Sequence, residues 1–299
     1  MRPRRLLNRE GSAPYVFVAP FIVAFLVFYL YPIVTTVIMS FQNVVPGQTT
    51  FVGLKNYGNI ISGDFWDALR VGLLYTVLTI AVLVPLPIIF AVLLNSGARR
   101  LNAVHRALFF LPSLVSVVVA GTIFRLMFSS TEKSVVNAVL KLIGISPVDW
   151  LMGGGFQAMF LMVMLATWRW LGVNLIYFLS GLQAIPEELY EAAQMDGANI
   201  FQRFWRITIP LLKPTILFVS TISIFGGFAM FEESYIFWQG NSPNNVGLTM
   251  VGLLYKRGFA QGDFGMASTY GLVLMVIVFA LSMIQLKLFG FFRKESRNA

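Results

Sequence analysis

The chain has 299 residues, 57% of them hydrophobic and 12% charged, with a formal net charge of +9. A soluble domain carries about 25% charged residues, so this composition describes an integral membrane protein. The basic residues stand in short blocks beside apolar spans and form no aromatic-interleaved patch, which argues against nucleic acid as a partner. The lack of cysteine excludes disulfides, thiolate metal sites and cysteine nucleophiles, and a single histidine, His105, leaves little for metal or acid–base chemistry.

Arg2, Arg4, Arg5 and Arg9 open the chain, and no charge follows between Gly11 and Leu54. The apolar stretch 15–41 exceeds the roughly 20 residues a bilayer requires, and without a short core or a small-residue cleavage site it reads as a retained first helix. Pro20 and Pro32 are tolerable bends within it. After a polar connection with Pro46, Gly47, Lys55 and Asp64, a second span covers 67–94. Its Pro85 and Pro87 each remove a ladder donor, and two so close together predict a break or kink. Arg99, Arg100 and Arg106 mark a basic loop before a third span at 107–128. Residues 129–155 are mixed, with a short surface helix at 135–143 and the run Gly153-Gly154-Gly155. The fourth span is 156–182 and the fifth 214–238, loosened at Gly226-Gly227. A polar, turn-rich stretch at 240–263 leads to the sixth span, 264–292.

Lysine and arginine orient these spans. The N-terminus, the second and fourth loops and the C-terminal end hold Arg2, Arg4, Arg5, Arg9, Arg99, Arg100, Arg106, Arg203, Arg206, Lys213, Lys287, Arg293, Lys294 and Arg297. The other connections hold only Lys55, Arg70, Lys133, Lys141, Lys256 and Arg257. The basic excess places both termini in the cytoplasm, in agreement with an even number of helices.

Apart from Asp67, Arg70 and Lys287 at span ends, four charged residues fall within the spans: Arg125, Arg169, Glu232 and Glu233. A charge in hydrocarbon is costly, so each needs a partner, a wet cavity or a reach to the surface. Arg169 lies near the middle of its span and has two readings, an interhelical ion pair or a solute contact. On the same span Trp170, Asn174, Tyr177 and Gly181 share one helical face, and on the fifth span Ser220, Ser223, Gly227, Met230 and Ser234 do likewise. Aromatic rings and amides suit the C–H faces and hydroxyls of a sugar, whereas small residues equally suit close helix packing. The candidates for a solute path are therefore Arg169, Trp170, Asn174, Tyr177, Gly227, Glu232 and Glu233.

The loop at 183–213 is the most specified stretch. Pro186 suits the first position of a helix, Glu187 and Glu188 favour its positive end, and Gly197 fits the left-handed residue that ends one. Ile200, Phe204 and Ile207 then recur at helical spacing, predicting a second helix that stops before Pro210. Glu191-Ala192-Ala193, Asp196-Gly197-Ala198, Ile207 and Pro210 together resemble the EAA loop of the membrane subunits of binding-protein-dependent ATP-binding-cassette importers. One position departs from that pattern, where Ile209 stands in place of leucine. Weaker marks of the carbohydrate branch are Phe51-Val-Gly-Leu-Lys-Asn-Tyr57, the Phe-Phe-Leu-Pro run at 109–112 and Phe264-Gly-Met-Ala-Ser268.

The resemblance implies an all-α permease of the type I ABC importer fold, with six transmembrane helices, in a bacterial cytoplasmic (inner or plasma) membrane. It implies a coupling role for Glu191, Ala192, Ala193, Asp196, Gly197, Ala198, Phe204, Ile207 and Pro210. The implied partners are a second, similar permease subunit, two ATPase subunits that bind ATP and Mg, and an extracytoplasmic solute-binding protein delivering a sugar. This chain itself is then no enzyme and binds no cofactor. Permeases for glycerol phosphate, polyamines or amino acids are alternatives, although the few charges in the spans favour a neutral solute. A channel or secondary transporter would need no docking loop. An intramembrane enzyme lacks support, because no Ser–His–carboxylate set, His-Glu-x-x-His motif or phosphate-cradling glycine loop is present.

Overall fold

The computed structural model describes residues 13–61, 63–95, 99–240 and 242–290. Arg2, Arg4, Arg5, Arg9, Arg293, Lys294, Arg297 and the last two residues of the sixth span lie outside them. The chain divides into two compact units, one drawn from 1–61 and 254–273, the other from 62–253 and 274–299.

In the first unit, α1 (Pro14–Ser40) is one long apolar helix. Pro32 has no amide to give the fourth carbonyl back, and just before it the ladder widens to a π turn at Leu26–Leu30. The connection that follows is not wholly irregular, because β1 (Gln42–Val45) and β2 (Gln48–Phe51) form an antiparallel hairpin around Pro46-Gly47. The turn dipeptide and the β-branched residues beside it explain this exception to an all-helical chain. Asn56, buried in α2 (Lys55–Asn59), donates Nδ2 to the carbonyls of Ser40 and Gln42 at 2.9 Å each, fastening the end of α1 to the hairpin.

In the second unit, α3 (Gly63–Leu83) and α4 (Pro85–Asn95) are the two halves of the second span, separated at Val84 as the prolines predict. The third span is not a single rod. α5 (Arg99–Phe110) runs into a 3-10 turn at Leu111–Leu114, Val115 is extended, and α6 (Val117–Met127) leaves at an angle, the two segments being bent by 93°. Pro112 accounts for the correction, since it withdraws a donor where the helix would otherwise continue. α7 (Val135–Leu142) matches the expected surface helix. Its Asn137 is fully buried and organises the whole connection. The Asn137 amide donates to Thr131 O at 3.1 Å and Val148 O at 3.0 Å, while its oxygen accepts from Val148 N at 3.1 Å and Trp150 Nε1 at 3.0 Å.

α8 (Gly155–Gln183) is the axis of this unit and packs against α3, α4, α5 and α6. Near its start Leu161, Met162 and Leu165 bury against Phe124, Phe237 and Trp238; near its end Leu175, Phe178 and Leu179 bury against Ile88, Leu212 and Val219. In a lipid solvent such burial is stabilised by close packing and satisfied polar groups more than by release of water. After the loop helices α9 (Glu187–Met195) and α10 (200–211), the fifth span is again two pieces, α11 (Lys213–Ala229) and α12 (Glu232–Trp238). The break falls at Met230 and Phe231, just beyond the paired glycines. The polar, turn-rich connection also contains α13 (Met250–Tyr255), continued by a π turn, and α14 (Phe264–Leu288) is the last long helix. Among the described residues, five helices are long and apolar enough to cross a membrane, or six if the bent pair of the third span counts as one.

Candidate functional site

The loop between α8 and α11 is a helical hairpin whose turn is made by the backbone. Asp196 ends α9, Gly197 takes φ +81°, Gly197 N donates to Gln194 O at 3.0 Å and Ala198 N to Ala193 O at 2.9 Å. These two bonds are the paired closure of a glycine-terminated helix, and they set Ala193 and Ala198 side by side as half-buried neighbours. Asn199 restarts the chain with a reciprocal cap, accepting from Gln202 N at 2.9 Å while Gln202 Oε1 accepts from Asn199 N at 2.8 Å. α10 does not stop before Pro210. The missing proline amide is absorbed by a π turn over Phe204–Thr208, and helical geometry persists to Leu211.

Tyr190 and Thr208 join the two arms through their hydroxyls at 3.0 Å, and Arg203 donates to Gln194 Oε1 at 3.3 Å. This inner seam decides which residues face outward. Phe204 is half-buried against the cluster of Ile88, Leu182 and Leu212, and Ile207 is half-buried as well. Glu191, Ala192, Asp196, Gly197 and Pro210 are exposed. The largest apolar groups left outside are Met195 at 88%, Phe201 at 75%, Ile200 at 69% and Trp205 at 65% exposure. Met195, Phe201 and Trp205 escape the sequence reading because it followed the spacing of Ile200, Phe204 and Ile207; the i, i+4 pair Phe201 and Trp205 was the available signal for a second apolar face.

The second cluster lies between α8 and α12. Arg169 Nη1 donates to Glu233 Oε1 at 3.0 Å, with the two side chains only 13% and 12% exposed. The guanidinium also lies 5.5 Å from the centre of the Trp170 ring, a cation–π distance. The ion-pair reading of Arg169 is therefore the observed arrangement. Glu232, next in chain, is exposed on the first turn of α12. α12 is held from several sides: Arg125 of α6 donates to Ile236 O at 3.2 Å, Trp238 Nε1 to Leu151 O at 2.9 Å, and Ser234 Oγ to Gly247 O.

The other path candidates lie in helix joints. Asn174 is buried and donates Nδ2 to Leu83 O at 3.1 Å, which is the carbonyl that Pro87 leaves without its helical donor. Tyr177 packs edge-on against Phe218 of α11 at 5.2 Å. Gly227 brings α11 against α3 so closely that an added Cβ would collide with Thr76, whose own Cβ would lie 2.9 Å away. The structure thus brings Arg169, Trp170 and Glu233 together, leaves Glu232 exposed as the chain neighbour of Glu233, and sets Asn174, Tyr177 and Gly227 apart from them.

Similarities to known proteins bear on these features. The arabinooligosaccharides transport system permease protein AraP of Halalkalibacterium halodurans is 50% identical over 287 residues, 96% of this chain and 90% of that protein. AraP of Bacillus subtilis is 49% identical over 292 residues, covering 98% and 93%. The crystal structure of a bacterial ABC transporter involved in the import of the acidic polysaccharide alginate contains a chain of like fold, with a TM-score of 0.85 at 23% identity, covering 96% of this chain and 98% of that one. The family model described as binding-protein-dependent transport system inner membrane component matches residues 62–289, a range that holds both the glycine-closed hairpin and the α8–α12 ion pair. The chain belongs to this family of membrane-embedded permease components of binding-protein-dependent transport systems.

Proposed function

We propose that this chain forms half of the path through an ATP-driven importer of a neutral oligosaccharide, with arabinose-containing oligosaccharides as the solute class. The observation that carries the reading is the α9–α10 hairpin. It holds its shape through its own backbone and seam, yet leaves Met195, Phe201 and Trp205 outside, an apolar knob that needs a partner groove. In this reading the knob enters an ATPase subunit, and Glu191, Ala192, Ala193, Asp196, Gly197, Ala198, Phe204, Ile207 and Pro210 shape or support it. The hairpin and both termini then face the cytoplasm of a bacterial cell, and the chain spans its cytoplasmic membrane. ATP and Mg belong to two separate ATPase subunits. A second permease subunit supplies the other half of the path, and an extracytoplasmic solute-binding protein delivers the sugar.

The solute assignment is supported by near end-to-end likeness to two arabinooligosaccharide permeases and by the cancellation of charge between Arg169 and Glu233. With that pair closed, Trp170 offers an exposed ring for a sugar face and Glu232 an acceptor for hydroxyls. Asn174, Tyr177 and Gly227 serve the path by holding the joints of α8 and α11. The test is reconstitution of the purified complex with its binding protein in vesicles. Uptake of labelled arabinotriose that requires ATP, is not displaced by excess glycerol phosphate or spermidine, and disappears in Gly197→Val supports the reading. Uptake without ATP, or displacement by those charged solutes, overturns it.

A further inference from the structure

The helix α7 turns its Asn137 inward, where it is fully buried and bonded to the backbone on either side of it, with Val136 packed on the core beside it, while an apolar stripe faces out. Val135, Val139 and Leu142 follow i, i+4, i+7, Ile143 continues the stripe, and all four are exposed, Leu142 by 86%. A water-facing helix of this kind would expose apolar area with no return.

Two independent observations say what covers it. First, the helix is tied to a band of aromatic residues. The Asn137 oxygen accepts directly from Trp150 Nε1 at 3.0 Å, and the Trp150 ring lies 5.5 Å from Phe128 and 6.1 Å from Phe160, with Phe156 beyond. These rings sit at the end of α6 and the start of α8, where spans meet the headgroups and where indole is favoured. Second, the charge around the stripe is basic at its edge. Lys133 is exposed just ahead of α7, and Lys141 on the flank pairs with the neighbouring Glu132 at 3.2 Å, which leaves the positive charge of Lys133 at the edge of the stripe. Continuity points the same way, since α6 reaches this level with Val118, Val119, Ile123 and Leu126 already exposed along one side.

We propose that α7 is an interfacial anchor, lying in the headgroup–acyl boundary of the bilayer with Val135, Val139, Leu142 and Ile143 in lipid and Lys133 among the phosphates. It braces the connection between α6 and α8, to which it is stitched through Asn137.

The chain has no cysteine, so single cysteines can report directly. Leu142→Cys and Val135→Cys are compared with Lys141→Cys in the assembled complex, in permeabilised vesicles containing phosphatidylglycerol, using a membrane-impermeant charged maleimide. Labelling at positions 142 and 135 is expected to be at least about tenfold slower than at position 141, as expected for an aliphatic side chain held out of water. A nitroxide at position 142 should relax with oxygen and not with a water-soluble nickel chelate. Equal labelling at 142 and 141 overturns the proposal. Protection that develops at 142 only when the solute-binding protein is added also overturns it, and makes α7 a protein-docking surface instead.

Discussion

The α9–α10 hairpin and the α8–α12 joint both invest polar residues, and they are built on opposite plans. In the hairpin, the Gly197 turn and the Asn199 cap bind residues at most five apart, and the large apolar side chains Met195, Phe201 and Trp205 point away from the fold. In the joint, Arg169 and Glu233 are 64 positions apart and nearly buried, and they point at one another, with the guanidinium beside Trp170. The first region can lose its outer side chains without losing its shape. The second cannot lose either member without stranding a charge in a poorly hydrated place.

That contrast predicts opposite responses to mutation. The largest effect on stability is expected for Arg169→Ala, which leaves Glu233 unpaired and should cost about 3–5 kcal/mol, read as a loss of thermal stability of the purified complex in detergent. The double replacement Arg169→Met with Glu233→Leu should restore most of that loss; a double variant as unstable as the single one would show that the pair does more than cancel charge. Next comes Asn174→Leu, which orphans the Leu83 carbonyl at the proline break. About 1–3 kcal/mol is expected, and a melting temperature unchanged from wild type would mean that another donor reaches that carbonyl.

Gly197→Val follows, with about 1–2 kcal/mol of strain confined to the hairpin turn. It should lower ATPase co-purification and ATP-driven uptake far more than it lowers the melting temperature, and proportional losses in both would erase the distinction between the two regions. The smallest stability change belongs to Phe201→Ser and Trp205→Ser, within about 0.5 kcal/mol of wild type because both side chains are already outside. Coupled transport should nevertheless fail in these variants, and intact uptake would remove the knob from the contact.

The hairpin was legible before folding because its instructions are local. A glycine that accepts φ +81°, a proline and an acidic first turn at the helix start, and a helical apolar repeat all act within a few residues, and so do the prolines that divide the second span. The same locality misled the reading at Pro210 and in the third span. A proline announces a missing donor but does not say whether the ladder widens, as it does over Phe204–Thr208, or swings through 93°, as it does after Phe110. Packing makes that choice. The hairpin of β1 and β2 was carried by the turn dipeptide Pro46-Gly47 and the β-branched residues beside it, a short signal between two long apolar helices.

Composition and spacing therefore determined that the chain carries several membrane-spanning helices and that one loop is a hairpin closed by its own glycine, since hydropathy and backbone stereochemistry are properties of short stretches. The pairing of Arg169 with Glu233, the repair of the Leu83 carbonyl by Asn174 and the outward turn of Phe201 and Trp205 depended on which helices came to lie together. Contacts between residues far apart in the chain have no periodicity to read, because what selects them is the shape and unmet bonding of surfaces that do not exist until the helices pack.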